Sequence, residues 1–248
     1  MTADKVGLIL PVVCHLSPVT IMNVAIIAAA GQGTRLAGKR PKQFLELSGT
    51  PIIFHTLRVF EQCDSIQEII VVIAASESAG FLSLAGKYGL RKLSKVVTGG
   101  ATRAESVLRG LQAIRETTAE IVVVHDAVRP FVTADEITRT VSAAQETGAA
   151  ILVRAPVDTV KAVANGEVVK TLNRDDLRMA LTPQCFRYAL LRRAYDAVDV
   201  ADATLTDESS LVERLGISVA IVEGSARNIK ITSKDDLVMA EALIKNEF

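Results

Sequence analysis

The chain has 248 residues, of which 49% are hydrophobic, and its 28 basic residues balance its 28 acidic ones. This length and composition suffice for one large domain or two small ones with a sizeable core. A formal net charge of zero argues against the broad basic surface of a nucleic-acid binder, so an anionic ligand must be bound by a local cluster of cations. No apolar run approaches the roughly 18 residues of a membrane span.

The three cysteines, Cys14, Cys63 and Cys185, are far apart and odd in number, so they predict neither a metal site nor a disulfide framework. A reducing, cytoplasmic compartment fits this pattern. Residues 1–22 are predicted to form an N-terminal extension. An apolar run after Lys5 faintly resembles a signal peptide, but prolines interrupt it and no clear cleavage site follows, so export is not favoured.

Apolar runs alternate with helical patterns in the first 150 residues. Segments rich in Ile and Val, typical of buried strands, occur at 24–30, 68–74, 95–100 and 121–127. Helical spacing predicts helices at 51–63, 78–88, 103–114 and 134–146. Strands that are each followed by a helix indicate an α/β fold, with a mostly parallel sheet covered by helices on both faces.

The pattern changes at 158–172, where alternating residues flank Asn165-Gly166. This dipeptide supplies the positive φ angles of a tight turn, so the segment predicts a protruding β-hairpin arm over about 154–174. The arm would serve either as a lid or as a contact to a partner subunit. Further helices are predicted at 188–198, 206–215 and 234–245, and strands at 217–222 and 228–232. Because no repeat or linker is visible, residues 23–248 are predicted to form one domain.

The stretch from Ala25 to Phe44, AIIAAAGQGTRLAGKRPKQF, combines a strand, glycines and basic residues, as phosphate-binding loops do. Leu36 occupies the position where the dinucleotide fingerprint needs a small third residue. Arg40 occupies the position of the magnesium-binding hydroxyl in a Walker loop. With both loop types disfavoured, Arg35 and Lys42 are the candidate phosphate ligands. A solvated basic loop without a ligand is the alternative that this stretch alone leaves open.

Eight motifs occur in a fixed order, namely AAAGQGTR, PKQF, GGATRAESV, HDAVRPF, DTVK, ALTPQCF, TDE and NIKIT. In this order and spacing the chain, from about Asn23 to its end, resembles the 2-C-methyl-D-erythritol 4-phosphate cytidylyltransferase family. The resemblance implies a Rossmann-like nucleotidyltransferase domain that joins CTP to a sugar-alcohol phosphate and releases pyrophosphate. It also implies Mg²⁺ or another divalent cation, and a homodimer formed through the arm.

The resemblance assigns site residues position by position. It implies three catalytic cations, which are Arg35, Lys42 and Lys230. The CTP site it implies consists of Ala29, Ala30, Gly31, Gly33, Gly100, Ala101, Ser106 and Asp126. The residues it implies for the second substrate are Thr159, Arg174, Thr182 and Asp207, of which Thr159 and Arg174 would act from the partner subunit. Asp126 is also the candidate metal ligand, although the CTP phosphates would hold most of the metal.

Four positions of these motifs carry a separate expectation. Ala101 stands where some relatives have Asp, which leaves Gly100, Ser106 and the backbone to read the base. His125 is expected to be a packed side chain rather than a base, and Arg129 to order its own loop by pairing. For Arg103, a role in the turn and an exposed position at a helix start are equally compatible with the sequence.

Two other functions compete with this interpretation. Ribitol 5-phosphate cytidylyltransferase shares the fold, the basic loop and the HD-x-x-RP element, but AAAG, TDE and DTVK favour the methylerythritol family. A non-catalytic nucleotide-binding module would lack the catalytic cations, yet Arg35, Lys42 and Lys230 are all present.

Overall fold

The computed structural model describes residues 21–31, 41–115, 118–200, 202 and 204–245. The strands of this described part are β1 (Met22–Ala29), β2 (Glu46–Leu47), β3 (Thr50–Pro51), β4 (Glu68–Ile73), β5 (Leu93–Thr98), β6 (Ala119–Asp126), β7 (Ala149–Arg154), β8 (Lys161–Ala164), β9 (Glu167–Thr171), β10 (Met179–Arg187) and β11 (Ala220–Glu223). Its α-helices are α1 (Ile52–Gln62), α2 (Ser78–Ala85), α3 (Arg103–Gln112), α4 (Ala134–Thr147), α5 (Tyr188–Asp196), α6 (Glu208–Glu213) and α7 (Lys234–Lys245). No helix among these is long and apolar enough to cross a bilayer.

A seven-stranded sheet in the order β11-β7-β10-β6-β1-β4-β5 forms the centre of the described chain. Strand β10 runs antiparallel to both of its neighbours, β6 and β7, whereas the other neighbouring pairs are parallel. The prediction of a mostly parallel α/β sheet is therefore confirmed. Because β1, β4 and β6 are parallel neighbours, their carboxyl ends meet at one edge, where such sheets bind ligands.

Alternate residues of β1 enter two separate cores, which explains its uninterrupted apolar sequence. Ala25 and Ile27 pack with residues of α1, α2 and α4 on one face of the sheet. Val24 and Ile26 pack with residues of α3, α5 and α6 on the other face. The prediction of helices on both faces is confirmed by this alternation. Helix α7 covers a smaller core beside the carboxyl end of β6, which includes Val128 and Ile231.

The predicted hairpin is present as β8 and β9. Asn165 and Gly166 form its turn with φ angles of 51° and 83°, as the turn chemistry of this dipeptide predicts. Val163, Val168 and Val169 of this hairpin are each at least 62% exposed to solvent. The arm therefore presents apolar side chains that the other described residues leave uncovered.

The predicted strand at 228–232 is wrong, because this segment is irregular. Its backbone pairs with no strand of the described chain. Ile231 N–H donates to Val128 O at 2.9 Å, and this contact holds Lys230 beside the end of β6.

Strands β7 and β10 were not predicted. Pro183 breaks the apolar pattern of β10, and the pairing of β10 with β7 shifts register between Ala180 and Gln184, which is where a proline is tolerated in a strand.

Candidate active site

A cavity of about 400 Å³ lies at the carboxyl ends of β1 and β6. The end of β1 contributes one wall, the turn before α3 a second, and the loop after β6 a third. Its lining residues are Ala28, Ala29, Ala30, Gly31, Lys42, Gln43, Gly100, Ala101, Thr102, Arg103, Ser106, Asp126, Ala127, Val128 and Lys230. The position at the strand ends agrees with the rule that open α/β sheets bind ligands there.

The carboxyl end of β1 lies close to the turn that precedes α3. This turn contains Gly99 and Gly100 and is called the glycine turn below. A Cβ atom at Gly99 would overlap that of Ala30, and one at Gly100 would overlap the side chain of Glu105. Gln43 holds the end of β1 in place, because its Nε2 donates to Ala29 O and Gly31 O. Gly99 is therefore required by the close approach of the turn to the end of β1, and Gly100 leaves the space that the Glu105 side chain occupies.

Three side chains of α3 hold the glycine turn. Gly100 N–H donates to Ser106 Oγ at 3.0 Å, and Ser106 Oγ donates to Thr102 O at 2.8 Å. Ala101 N–H donates to the Glu105 carboxylate at 2.7 Å, and Arg109 donates to Gly99 O at 2.8 Å. The hydroxyl proton of Ser106 is thus committed to the protein, and this oxygen can only accept a further hydrogen bond from a ligand.

Asp126 is 6% exposed and binds three cations. Its Oδ1 lies 3.2 Å from Arg103 Nε, and its Oδ2 lies 2.8 Å from Lys230 Nζ and 3.6 Å from Arg129 Nε. Burial alone would raise the pKa of this carboxyl, but the charges of Arg103 and Lys230 outweigh burial and hold the pKa below its ordinary value. The carboxylate is therefore charged at neutral pH.

His125 is fully buried and packs against the ring of Phe60. Its Nε2 lies 3.1 Å from Arg129 O, so Nε2 carries the proton, and its Nδ1 accepts from Thr182 Oγ1 at 2.9 Å. Burial lowers the pKa of the imidazole to about 4. His125 is thus the packed side chain that the sequence predicted. Arg129 pairs with Asp126 and donates to Asn228 O at 2.9 Å, so it orders the loop.

A second cavity, of about 250 Å³, adjoins the first. Arg103, Asp126 and Lys230 line both cavities. The remaining lining residues of the second cavity are Arg129, Ala180, Leu181, Thr182, Gln184, Thr206 and Asp207. Asp207 caps α6 by accepting from Ser210 N–H at 3.1 Å and accepts from Gln184 Nε2 at 2.8 Å.

The structure brings most of the predicted residues together. Those in the larger cavity are Ala29, Ala30, Gly31, Lys42, Gly100, Ala101, Ser106, Asp126 and Lys230, and those in the smaller one are Thr182 and Asp207. The exposed arm residues Thr159 and Arg174 line neither cavity, and Arg174 Nη1 donates to Val157 O at 3.0 Å. Gly33 and Arg35, like residues 1–20 of the extension, lie outside the described residues.

Four residues of this region were not predicted as site residues. Arg103, which the sequence left between two roles, lines both cavities, and Gln43 supports the end of β1. Glu208 and Tyr195 lie behind Arg103, since Glu208 binds its guanidinium at 2.8 Å and accepts from the Tyr195 hydroxyl at 3.2 Å. Glu208 belongs to the TDE motif, but its pairing with a residue 105 positions away has no local signal in the sequence.

A metal bound wholly by protein side chains does not fit the described residues, which contain no group of three or more metal-ligating side chains. Among the described residues that line the larger cavity, Asp126 is the single carboxylate. This donor set fits Mg²⁺, which proteins usually bind through one or two carboxylates together with substrate phosphates.

Two adjoining cavities at the carboxyl ends of parallel strands, with cations at their junction, place the chain among the nucleotide-binding α/β proteins. The family model of 2-C-methyl-D-erythritol 4-phosphate cytidylyltransferase matches residues 23–246. The chain belongs to this family.

Relatives that carry the name 2-C-methyl-D-erythritol 4-phosphate cytidylyltransferase cover nearly the whole chain. The Bacillus velezensis protein is 44% identical over 225 residues, which are 90% of this chain and 96% of that protein. The Geobacter metallireducens protein is 42% identical over 226 residues, which are 90% of this chain and 97% of that protein. These relatives favour the methylerythritol family over the ribitol 5-phosphate enzyme and over a non-catalytic module.

Solved structures lead to the same family. The 4-diphosphocytidyl-2C-methyl-D-erythritol synthase of Anaerococcus prevotii superposes with a TM-score of 0.80 at 31% identity, covering 91% of this chain and 96% of that one. The 2-C-methyl-D-erythritol 4-phosphate cytidylyltransferase of Thermus thermophilus superposes with a TM-score of 0.72 at 34% identity, covering 89% and 98%.

Proposed function

We propose that this protein transfers CMP from CTP to 2-C-methyl-D-erythritol 4-phosphate, giving 4-diphosphocytidyl-2-C-methyl-D-erythritol and pyrophosphate in non-mevalonate isoprenoid biosynthesis. The observation that carries the proposal is that two cavities share Arg103, Asp126 and Lys230 at their junction. This arrangement suits a reaction between two phosphates, since one cavity would hold the nucleotide and the other the alcohol phosphate. The family membership supplies the identity of both substrates.

The chemistry requires neither a protein nucleophile nor a base. An oxygen of the methylerythritol phosphate attacks the α-phosphorus of CTP, and the bond from this phosphorus to the oxygen that bridges to the β-phosphorus breaks, so that pyrophosphate leaves. The attacking phosphate is already an anion. Positioning and neutralisation of charge therefore provide the rate enhancement.

The larger cavity is the proposed CTP site. Ser106 Oγ, which is available only as an acceptor, suits the exocyclic amino group of cytosine. Lys42 and Lys230 would bind the triphosphate and stabilise charge in the transition state, together with Arg35, whose position lies outside the described residues. Asp126, together with the triphosphate, would hold Mg²⁺, which would supply further neutralisation of phosphate charge.

The smaller cavity is the proposed site of the alcohol phosphate, with Thr182 and Asp207 in its wall. We further propose that Thr159 and Arg174 reach this cavity from the arm of a partner subunit. The exposed valines of β8 and β9 support a homodimer, because an apolar surface of this kind is typical of an interface.

The proposed environment of the protein is the cytoplasm. Cys63 and Cys185 are buried and form no disulfide in the described chain, which suits a reducing compartment. The balanced net charge of the chain also supports the proposal that it has neither nucleic-acid nor membrane partners.

The test is a mass-spectrometric assay with CTP, Mg²⁺ and each of two alcohol phosphates in turn. We expect the cytidine diphosphate product and stoichiometric pyrophosphate with 2-C-methyl-D-erythritol 4-phosphate. Turnover with ribitol 5-phosphate alone would overturn the proposal. Nucleotide binding without any product would favour a non-catalytic module.

A further inference from the structure

Arg103 occupies an unusual position, because its guanidinium bridges two carboxylates at the junction of the two cavities. Nε lies 3.2 Å from Asp126 Oδ1, and Nη1 lies 2.8 Å and 2.9 Å from the two oxygens of Glu208. Burial opposes the charge on Arg103, but Glu208 and Asp126 outweigh burial and raise its pKa above the ordinary value. The guanidinium is therefore charged and held at two of its three nitrogens.

Glu208 is the more deeply buried of the two carboxylates, with a side chain 1% exposed. The hydroxyl of Tyr195, on α5, donates to its Oε1 at 3.2 Å. Its backbone N–H donates to Gln184 Oε1 at 3.1 Å, which ties the first turn of α6 to β10. A buried carboxylate with these partners has little freedom to move, so it determines the orientation of the guanidinium.

The third nitrogen, Nη2 of Arg103, has no acceptor among the described residues, whereas Nε and Nη1 are both bonded. A guanidinium is planar, so two fixed nitrogens determine where the third one lies. The Arg103 side chain is 30% exposed and lines both cavities. Nη2 is thus the remaining donor of a guanidinium that lines both cavities.

We propose that Glu208, supported by Tyr195, is a positioning residue that orients Arg103 so that Nη2 donates to a phosphate oxygen between the two cavities. This inference rests on the proposed function and adds to it a role for three residues that the sequence motifs did not assign. A donor that is oriented in advance stabilises the transition state without reorganisation. Glu208 should therefore affect turnover more than the binding of CTP alone.

The experiment compares Glu208→Gln with the control Glu136→Gln. Glu136 is also buried in the first turn of a helix and accepts backbone hydrogen bonds, but it lines neither cavity. We expect Glu208→Gln to lower kcat at least about tenfold while the KM for CTP changes less than about threefold. We expect Glu136→Gln to retain kcat. An unchanged kcat in Glu208→Gln would overturn the proposal.

A double-mutant cycle with Arg103→Lys separates positioning from general structural damage. Lysine has a single nitrogen and lacks the planar fork in which two bonded nitrogens fix the position of a third, so Arg103→Lys alone should lower kcat at least as much as Glu208→Gln. In the Arg103→Lys background, Glu208→Gln should cost little more, because its effect passes through Arg103. An equal fold-loss in both backgrounds would contradict the proposal.

Tyr195→Phe provides a milder variant if Glu208→Gln fails to fold. It removes one hydroxyl and should lower kcat several-fold without unfolding the protein; an unchanged kcat would count against the proposal. The activity of the wild type distinguishes a failure of this proposal from a failure of the proposed function. If the wild type forms no product from CTP and methylerythritol phosphate, the proposed function fails; if it does, and these variants match it, only the role of Glu208 fails.

Discussion

Lys230 Nζ lies 2.8 Å from Asp126 Oδ2, and this ion pair stands where the two cavities meet. The Lys230 side chain is 38% exposed, whereas that of Asp126 is 8% exposed. Arg103 and Arg129 also bind Asp126. The buried carboxylate of Asp126 therefore forms ion pairs with three cations. Lys230 is the most solvent-accessible of the three.

Replacing Lys230 with Met should lower kcat/KM by at least about 100-fold, or roughly 2.7 kcal/mol, as removal of one charge-stabilising donor does in other enzymes. Asp126 would keep its two arginine partners, so the fold should persist. Steady-state release of pyrophosphate measures the effect. Lys234→Met is the matched control, since Lys234 is exposed at the start of α7 and lines neither cavity. Similar losses in both variants would contradict a specific role for Lys230.

Replacing Lys42 with Ala should also remove at least about 2.7 kcal/mol of transition-state stabilisation, because the side chain lines the proposed triphosphate site. Pyrophosphate release under saturating CTP is the measurement. Lys87→Ala controls for the loss of one positive charge, since Lys87 is exposed and lines neither cavity. Pyrophosphate release that survives Lys42→Ala undiminished would argue against the proposed mechanism.

Replacing Glu105 with Ala should weaken the binding of CTP several-fold, because Glu105 holds Ala101 N–H and pairs with Arg109 at 2.6 Å. The turn that faces the base would then lose one of its three supports from α3. Calorimetric titration with CTP measures the dissociation constant. Gln112→Ala, on the same helix and exposed, should bind CTP as the wild type does, and an equal affinity of all three proteins would refute the role of Glu105.

Mixing Arg174→Ala with Lys42→Ala should restore activity if the arm completes the site of its partner. In a mixed dimer, one of the two sites would combine an intact Lys42 with an intact Arg174. Random exchange of equal amounts should therefore give up to about a quarter of the wild-type activity. The measurement is turnover after demonstrated subunit exchange. No recovery would place Arg174 in the site of its own chain.

The stability of the protein should depend on pH through His125. Its pKa is about 4 in the fold and 6.5 ordinarily, so between these values the unfolded chain binds more protons. The free energy of unfolding should therefore rise with pH across this window, by at most about 1.4 kcal/mol per pH unit. The low pKa of Asp126 acts in a different window, since its contribution is lost only as pH falls below about 4.

Denaturant unfolding between pH 4 and 7 tests this dependence. His125→Asn should flatten it, while His55→Gln controls for the loss of a histidine elsewhere. A wild-type slope that persists in His125→Asn would show that another group titrates.

The repeated strand and helix patterns of the first 150 residues determine the parallel half of the sheet, because buried parallel strands need uninterrupted apolar runs. These sequence patterns did not predict strands β7 and β10. Strand β10 contains Pro183, and its place between β6 and β7 depends on long-range pairing. The segment at 228–232 has the composition of a strand, but its backbone N–H groups donate to Ser225 O, Arg227 O and Val128 O rather than to a neighbouring strand.

The sequence by itself determined the family and most of the cavity residues, because the glycine turns and basic motifs are local features whose order is specific. Only the tertiary structure decided how Asp126 is shared among Arg103, Arg129 and Lys230. It also decided that Glu208 and Tyr195 stand behind Arg103, since a buried ion pair between residues 105 positions apart depends on how α3, α5 and α6 pack on one face of the sheet. Local sequence motifs identify the charged side chains, whereas the packing of the helices on the sheet determines which of these side chains form ion pairs.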